Sequence, residues 1–544
     1  MKAFAALILG VLALTWMQPP HAASSARPEL GASAAFDARG RLWVVYAEPA
    51  DGGGSHVRLE RSDDRGRSWS MRIAATPTPE PVSADGENRP KIAFGAAGEI
   101  YVAWTSPGSE RFTGNIRFTR SLDDGRTWSK PVVVHRDRQL ITHRFESLAV
   151  DGAGRIWAAW IDKRDLERAK RAGQAYAGAA VYYAYSQDRG ATWRGDFKLA
   201  DHSCECCRIA LARDGHGRIA ALWRHVFAPN ERDHAYALLD PHGRPTITRA
   251  TFDRWRIDAC PHHGPSLAFG ADDERHAVWF NQVEGDGRVF YGRLTDGAPA
   301  GLAELPAGAS HADVAAHERY VAVAWKRFDG EATRIETWLS HDGGRSFTSG
   351  PDERTTGDSD QPRLLQAPHG EIVLVWRVAD RIIVRSLFSA PQSRRSHDAR
   401  EKPAAASMQA GPSSVRPFAR STLAEIESRL RGQPFWLVLW DLECSYCMHS
   451  LRGLAQAQAR NPRLRAVTIS TDSIGQASQI TARLASLGVR SEAYAFAQDS
   501  VEALRHAIDP GWAGEKPRAY RYGPDGRRKA VSGVIDASEY GAEF

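Results

Sequence analysis

The residues best suited to chemistry in this chain are its six cysteines, and they fall into two groups. Cys204, Cys206, Cys207 and Cys260 lie in the strings CECC and ACPHHGP, where His262 and His263 follow Cys260 closely. Cys444 and Cys447 end an apolar run near the C-terminus, PFWLVLWDLECSYC. Thiols and imidazoles packed so densely suit a soft metal ion, a disulfide, or a site that alternates between the two. A CxxC pair at the end of a buried strand suits thiol–disulfide exchange.

The compartment decides how these thiols behave. Lys2, the apolar stretch Ala3 to Trp16 and the small residues Ala22 to Ser25 predict a secretory signal peptide over residues 1–24. Its apolar core is too short to span a bilayer comfortably and no other stretch approaches one, so the mature protein is expected to have no membrane span. No cysteine lies near the cleavage region to carry a lipid, so a bacterial periplasmic location is predicted. Disulfides persist there, so an exported CxxC protein makes them, breaks them or keeps a thiol site reduced. A chain of 544 residues needs more than one domain, and a formal charge of +6 with interspersed signs gives no support to nucleic-acid binding.

Repeats organise the first domain. SDDRGRSW at Ser62 to Trp69 recurs as SLDDGRTW at Ser121 to Trp128, SQDRGATW at Ser186 to Trp193 and SHDGGRSF at Ser340 to Phe347. In SxDxGx(S/T)(W/F) the Asp can bond backbone amides, the Gly can take a positive φ, and the aromatic plugs the sheet. These octets resemble the Asp-box, or BNR, repeats of sialidase-like β-propellers, and the resemblance implies a mostly β fold over residues 25–390. It implies nothing about chemistry, because the box recurs in propellers of unrelated activity. A second pattern counts the blades: an apolar strand, a turn and a strand ending in an aromatic occur seven times, from AAFDARGRLWVVY to LLQAPHGEIVLVW. The resemblance alone implies six blades; this count favours seven.

In a propeller, residues just before each innermost strand converge on the funnel mouth. Here they are Arg89, His143, Arg144, Cys204 to Cys207, Cys260 to His263, His311 and Arg363. Cys207 leads into the fourth blade and Cys260 to His263 into the fifth, so the two cysteine strings are predicted to be neighbours. Three readings remain open. The cysteines staple adjacent blades as disulfides; or Cys204, Cys206, Cys207, Cys260, His262 and His263 ligate a soft metal, Cu(I) before zinc; or they are redox partners of the second pair. No organic cofactor is expected.

The second strands add Lys163, Arg224, Lys326, Arg327 and Arg377 to the mouth. Such cations would attract an anion, and sialidases hold a carboxylate with an arginine triad, so an exported sialidase-like hydrolase of anionic glycans is the alternative. Against it, the family's FRIP-like motif is not apparent, NRPKIAF at Asn88 to Phe94 being the nearest piece, and no Tyr/Glu nucleophile pair can be assigned.

Residues 391–416, rich in Pro, Ala, Ser and charge, read as a flexible linker. The remaining segment, 417–544, gives a helix, the strand PFWLVLWDLE running into CxxC and a helix, then strand, helix, short strand, helix and a hairpin opened by Pro517. Strand, CxxC helix and late LysPro strand in this order resemble the TlpA-like periplasmic thioredoxins. By that resemblance Pro517 is the cis-proline facing the CxxC. Cys444, at a helix N-terminus, is expected to be the exposed attacking thiol and Cys447 the resolving one. Glu443 and the SerTyr between the cysteines depart from the family pattern, and Glu443 should raise the Cys444 pKa. His449 reads as a solvent-facing helix residue. The combined expectation is a periplasmic copper-binding and thiol–disulfide protein. Its partners would be a metal donor or acceptor, or an outer-membrane copper transporter, with a membrane thiol reductant as electron source. A propeller adaptor with structural disulfides and a general reductase tail is the third possibility.

Overall fold

The computed structural model describes residues 29–70, 72–283, 285–388 and 415–542. The expected signal peptide and linker residues 391–414 lie outside them. The described chain is mostly β and divides into a ring of antiparallel meanders and a C-terminal α/β module.

Each meander starts with an inner strand: Ala32–Phe36, Lys91–Phe94, His143–Val150, Ala210–Arg213, Ser266–Phe269, Ser310–His317 and Arg363–Gln366. These touch one another in cyclic order, the last against the first, so the meanders radiate from a common axis as in a β-propeller. The third and fourth share one eight-stranded sheet through the pair Ser203 and His225, while the final meander has three strands. Second strands are covered on both faces by neighbouring meanders, which explains apolar runs without alternation such as Ile156–Asp162, buried throughout. A separate apolar cluster fills every gap between meanders. Trp43 and Trp104 sit between the first two, Trp376 between the last two, and Leu42, Val44, Val373 and Val375 close the ring.

The octets form one turn four times. In each, the opening Ser hydroxyl donates to the Asp and accepts the Gly N–H, at 2.6 to 2.8 Å in Ser62/Gly66, Ser121/Gly125, Ser186/Gly190 and Ser340/Gly344. The Asp also takes the backbone N–H and hydroxyl of the seventh residue, as Asp123 does from Thr127. These bonds hold Asp64, Asp123 and Asp188 at a pKa of about 2. Gly190 has φ +81°, and a Cβ there would lie 2.5 Å from the Phe118 ring of the preceding meander. Each turn therefore also spaces two meanders.

The C-terminal module is a six-stranded mixed sheet in the order Val415–Phe418, Glu492–Phe496, Ala466–Ser473, Phe435–Trp440, Arg518–Tyr522, Arg528–Ser532. Helices Thr422–Arg429, Ser445–Arg460, Ala477–Leu487 and Val501–Ile508 connect and cover it. Two elements were not expected. Val415 and Arg416, assigned to the linker, begin an edge strand parallel to Glu492–Phe496. A short helix, Ala537–Gly541, starts at Asp536 in a capping box with Glu539. One face of the sheet has its own core, including Phe418, Leu437, Tyr494 and Tyr520. The opposite face, with Trp440, Leu442 and Met448, merges with the ring's core between its third and fourth meanders. No helix among the described residues is long and apolar enough to cross a membrane.

Candidate functional site

Cys204 to Cys207 form the turn between the strand Arg194–Ser203 and the inner strand at Ala210, and the Cys204 N–H is anchored on the Arg224 carbonyl at 3.0 Å. The turn folds three thiols together, with Cys204 Sγ 3.3 Å from Cys207 Sγ and 3.7 Å from Cys206 Sγ. Cys260 arrives on the loop before the next inner strand. Cys206, Cys260 and His262 offer ligand atoms within 4.8 Å of one another, as do Cys204, Cys206 and Cys207, so Cys206 belongs to both sets. All four ring cysteines are buried and unpaired, at 2 to 6% exposure.

Charge is distributed unevenly over the cluster. Hydrogen bonds from the Cys206 and Cys207 thiols hold the Cys204 pKa well below the thiol range, helped by Arg232 and Arg224. Burial pushes Cys206 and Cys207 up. The opposed shifts make Cys204 the most acidic of the three thiols. Burial, with the charge of Lys516, lowers the His262 pKa to about 4, so its imidazole is neutral, and its buried Nε2 has no hydrogen-bond partner. A neutral imidazole nitrogen and several thiols around one point form a donor set for a soft ion.

His263 does not join them. His262 has φ +56°, which turns the chain, and His263 stacks instead between Phe280 and His311 at 4.2 and 4.1 Å. Its Nε2 donates to the Ala513 carbonyl at 3.1 Å, and its Nδ1 accepts from the His311 N–H. The expectation of His263 as a ligand is corrected on this geometry. Gly264 locks the loop: its N–H reaches both oxygens of Glu87 at 2.7 and 2.8 Å, and a Cβ would fall 2.3 Å from Arg208 Cγ.

The C-terminal module covers the cluster. Cys444 caps the helix Ser445–Arg460, accepts the Cys447 N–H on its sulfur at 3.0 Å, and is joined to Cys447 by a disulfide. Neither is exposed, so the expectation of a solvent-accessible Cys444 is corrected: both lie in the buried apolar cluster shared with the ring. Glu443 pairs with Arg144 at 3.0 Å, Ser445 donates to Glu205 at 3.0 Å, and the Tyr446 hydroxyl accepts from Arg232 at 3.0 Å. Lys163 pairs with the same Glu205 oxygen at 2.5 Å, and Lys326 pairs with Glu502. Cys260 and Lys516 exchange both backbone hydrogen bonds, and the Lys516–Pro517 peptide is cis. His449 faces solvent.

The expected ring of cations is present but paired. Arg89 meets Asp360 at 2.6 Å, Arg363 lies 3.7 Å from Asp313, and Arg327 binds Glu336. Arg224 donates to three carbonyls, including that of His263, and Arg377 lies over the Tyr46 ring. His143 is stacked on His135. Arg232, Glu205 and Tyr446 were missed as site residues. The latter two were signalled by their places inside CECC and CSYC, whereas Arg232 carries no local signal.

No family model and no curated protein matches the chain. Among solved structures, an ulvan lyase of polysaccharide lyase family PL25 is similar at 11% identity and a TM-score of 0.42, covering 65% of this chain and 91% of that one. The NanB sialidase of Streptococcus pneumoniae aligns at 10% identity and 0.36, over 56% and 66%. The α-L-arabinanase of Penicillium chrysogenum aligns at 14% identity and 0.36, over 54% and 88%.

Proposed function

We propose that the chain is an exported copper-handling and thiol–disulfide protein. A seven-bladed, sialidase-like propeller holds a soft metal ion, Cu(I) before zinc, in the set Cys204, Cys206, Cys207, Cys260 and His262. A thioredoxin-like C-terminal domain keeps those cysteines, or a partner's, reduced. The observation that carries this reading is that the ring's four thiols and the Cys444–Cys447 pair share one buried apolar cluster. The seven inner strands in cyclic order support the blade number. The strand, CxxC helix and hairpin order around the central sheet supports the domain. The unpartnered Nε2 of His262 and the lowered pKa of Cys204 support a soft ion, which thiolates hold more tightly than oxygen ligands do. Bound there, the ion is cargo, exchanged with a periplasmic donor or an outer-membrane transporter, while a membrane thiol reductant supplies electrons to Cys444 and Cys447.

The test is to isolate the full chain anaerobically, measure bound metal, and count free thiols before and after Ser replacement of Cys204, Cys206, Cys207 and Cys260. Metal lost together with those thiols supports the reading. A metal-free chain whose ring cysteines are oxidised, and stay so in a Cys444→Ser variant, supports the adaptor with structural disulfides instead.

A hydrolase of anionic glycans is the second reading. It is favoured by a cavity of about 440 Å³ between ring and module, lined by Asp85, Glu87, Glu443, Asp472 and Lys516 among others. Facing carboxylates are what glycoside hydrolysis needs. The pairing of the mouth cations counts against an anionic substrate, and release of sialic acid from a reporter glycoside decides the matter.

A further inference from the structure

Cys260 is held by more than proximity. Its N–H donates to the Lys516 carbonyl at 2.7 Å and its carbonyl accepts the Lys516 N–H at 3.1 Å, an antiparallel bridge made immediately before Pro517. Two residues earlier, the Asp258 carbonyl accepts the Val534 N–H at 2.9 Å. Between them, the Ala259 carbonyl accepts from Arg232, whose other terminal nitrogen donates to Tyr446. The ring segment 258–260 thus lies on the module as an extended bound peptide, and main-chain pairing of this kind fixes the register of the residue it presents.

The residue it is presented to is equally defined. Glu443, Ser445 and Tyr446, the immediate neighbours of Cys444, each bond a ring side chain, whereas Cys447 lies a turn further into the helix beside Met448. On the ring side, Cys206 is the cysteine grouped with Cys260, and these two also line a small crevice with Glu205, His262, Glu443 and Ser445. Cys204 and Cys207 do not line it.

We propose that Cys260 is the ring thiol that exchanges with the Cys444–Cys447 disulfide and that Cys206 completes the transfer, so that the module's substrate is a cysteine of its own chain. This rests on the thiol-exchange reading given above. The Cys260 thiolate attacks Cys444 Sγ; the Cys444–Cys447 bond breaks, and Cys447 leaves as a thiolate that takes up the proton Cys260 gave up. Cys206 then attacks Cys260 Sγ, expelling Cys444, which takes up the proton of Cys206. Two thiols are oxidised to a Cys206–Cys260 disulfide and one disulfide is reduced to two thiols, with no other reactant. Run in reverse, the same steps free Cys206 and Cys260 to bind a metal ion.

Full-length protein carrying both Cys206→Ser and Cys447→Ser, which together remove each thiol able to release the mixed disulfide, is reduced, oxidised with oxidised glutathione, quenched in acid, alkylated and mapped by non-reducing peptide mass spectrometry. The expected product is an intramolecular Cys260–Cys444 link that survives a further Cys207→Ser change and is lost with Cys260→Ser. A link from Cys444 to Cys204 or Cys207 overturns the assignment while leaving in-chain exchange standing. Cys444 carrying glutathione alone overturns both. Should the double variant fail to fold, wild-type protein oxidised with diamide is mapped instead: a Cys206–Cys260 disulfide is expected, and Cys204–Cys207 or Cys206–Cys207 in its place refutes the inference.

Discussion

Tyr446→Phe isolates the docking of module on ring. Arg232 is 2% exposed, and its guanidinium lies 5.4 Å from the Tyr446 ring centre while donating to the hydroxyl at 3.0 Å. Phenylalanine keeps the ring and the cation–π contact and removes only the acceptor. A hydrogen bond to a charged group contributes about 1.5 to 3 kcal/mol, and the half-buried position of Tyr446 places this one at the lower end. A loss of about 1.5 kcal/mol raises the undocked population about tenfold. Cys206 and Cys260 are buried under the module, so an alkylating reagent reaches them through that opening, and the labelling rate follows the open fraction when closing is fast. Site-resolved mass spectrometry should show about tenfold faster labelling of both in the variant. A change below about threefold would refute the argument that this hydroxyl helps to seal the ring.

His262→Ala should lower metal occupancy measured by elemental analysis after anaerobic isolation, while His263→Ala, whose ring packs against Phe280, should lower the melting temperature and spare the occupancy. Burial and the charge of Asp441 raise the Asp472 pKa to about 6, so its contribution to stability is fully present below its unfolded value and lost as pH rises through about 6. Asp472→Asn should therefore raise the melting temperature at pH 8 and leave it unchanged at pH 3; a constant difference at both pH values would refute the linkage. Gly190→Ala, which forces a Cβ toward Phe118 at φ +81°, should cost about 2 kcal/mol in urea denaturation.

The parts of the molecule legible in the sequence are those set by local bonding. The octets announce themselves because Ser, Asp and Gly bond one another within five residues, and the seven apolar hairpins recur because each meander meets the same two neighbours. Strand order also brought the CECC and CPHH strings together, with Cys206 the member beside Cys260. What could not be read depends on the third dimension. Consecutive His262 and His263 part company because one residue takes a left-handed turn. Arg232 becomes a site residue only through a tyrosine distant in sequence. Cys444 lies in an apolar cluster shared with the ring, and no local pattern in the sequence announces that packing. Val415–Phe418 escaped because an edge strand beginning among linker-like residues has too few apolar positions to show a period. The capping box at Asp536 and Glu539 was a readable signal for the last helix.

The single apolar cluster that joins the ring's third and fourth meanders to the C-terminal module has a consequence for the order of assembly. Synthesis runs from the N-terminus, so Cys204, Cys206, Cys207 and Cys260 exist well before the residues that cover them. During that interval the ring presents an unprotected oily patch carrying four thiols, open to mispairing with one another or with a neighbouring chain. The module is in this sense the last piece of the ring's core, and a chain that stops short of it leaves those thiols without their cover.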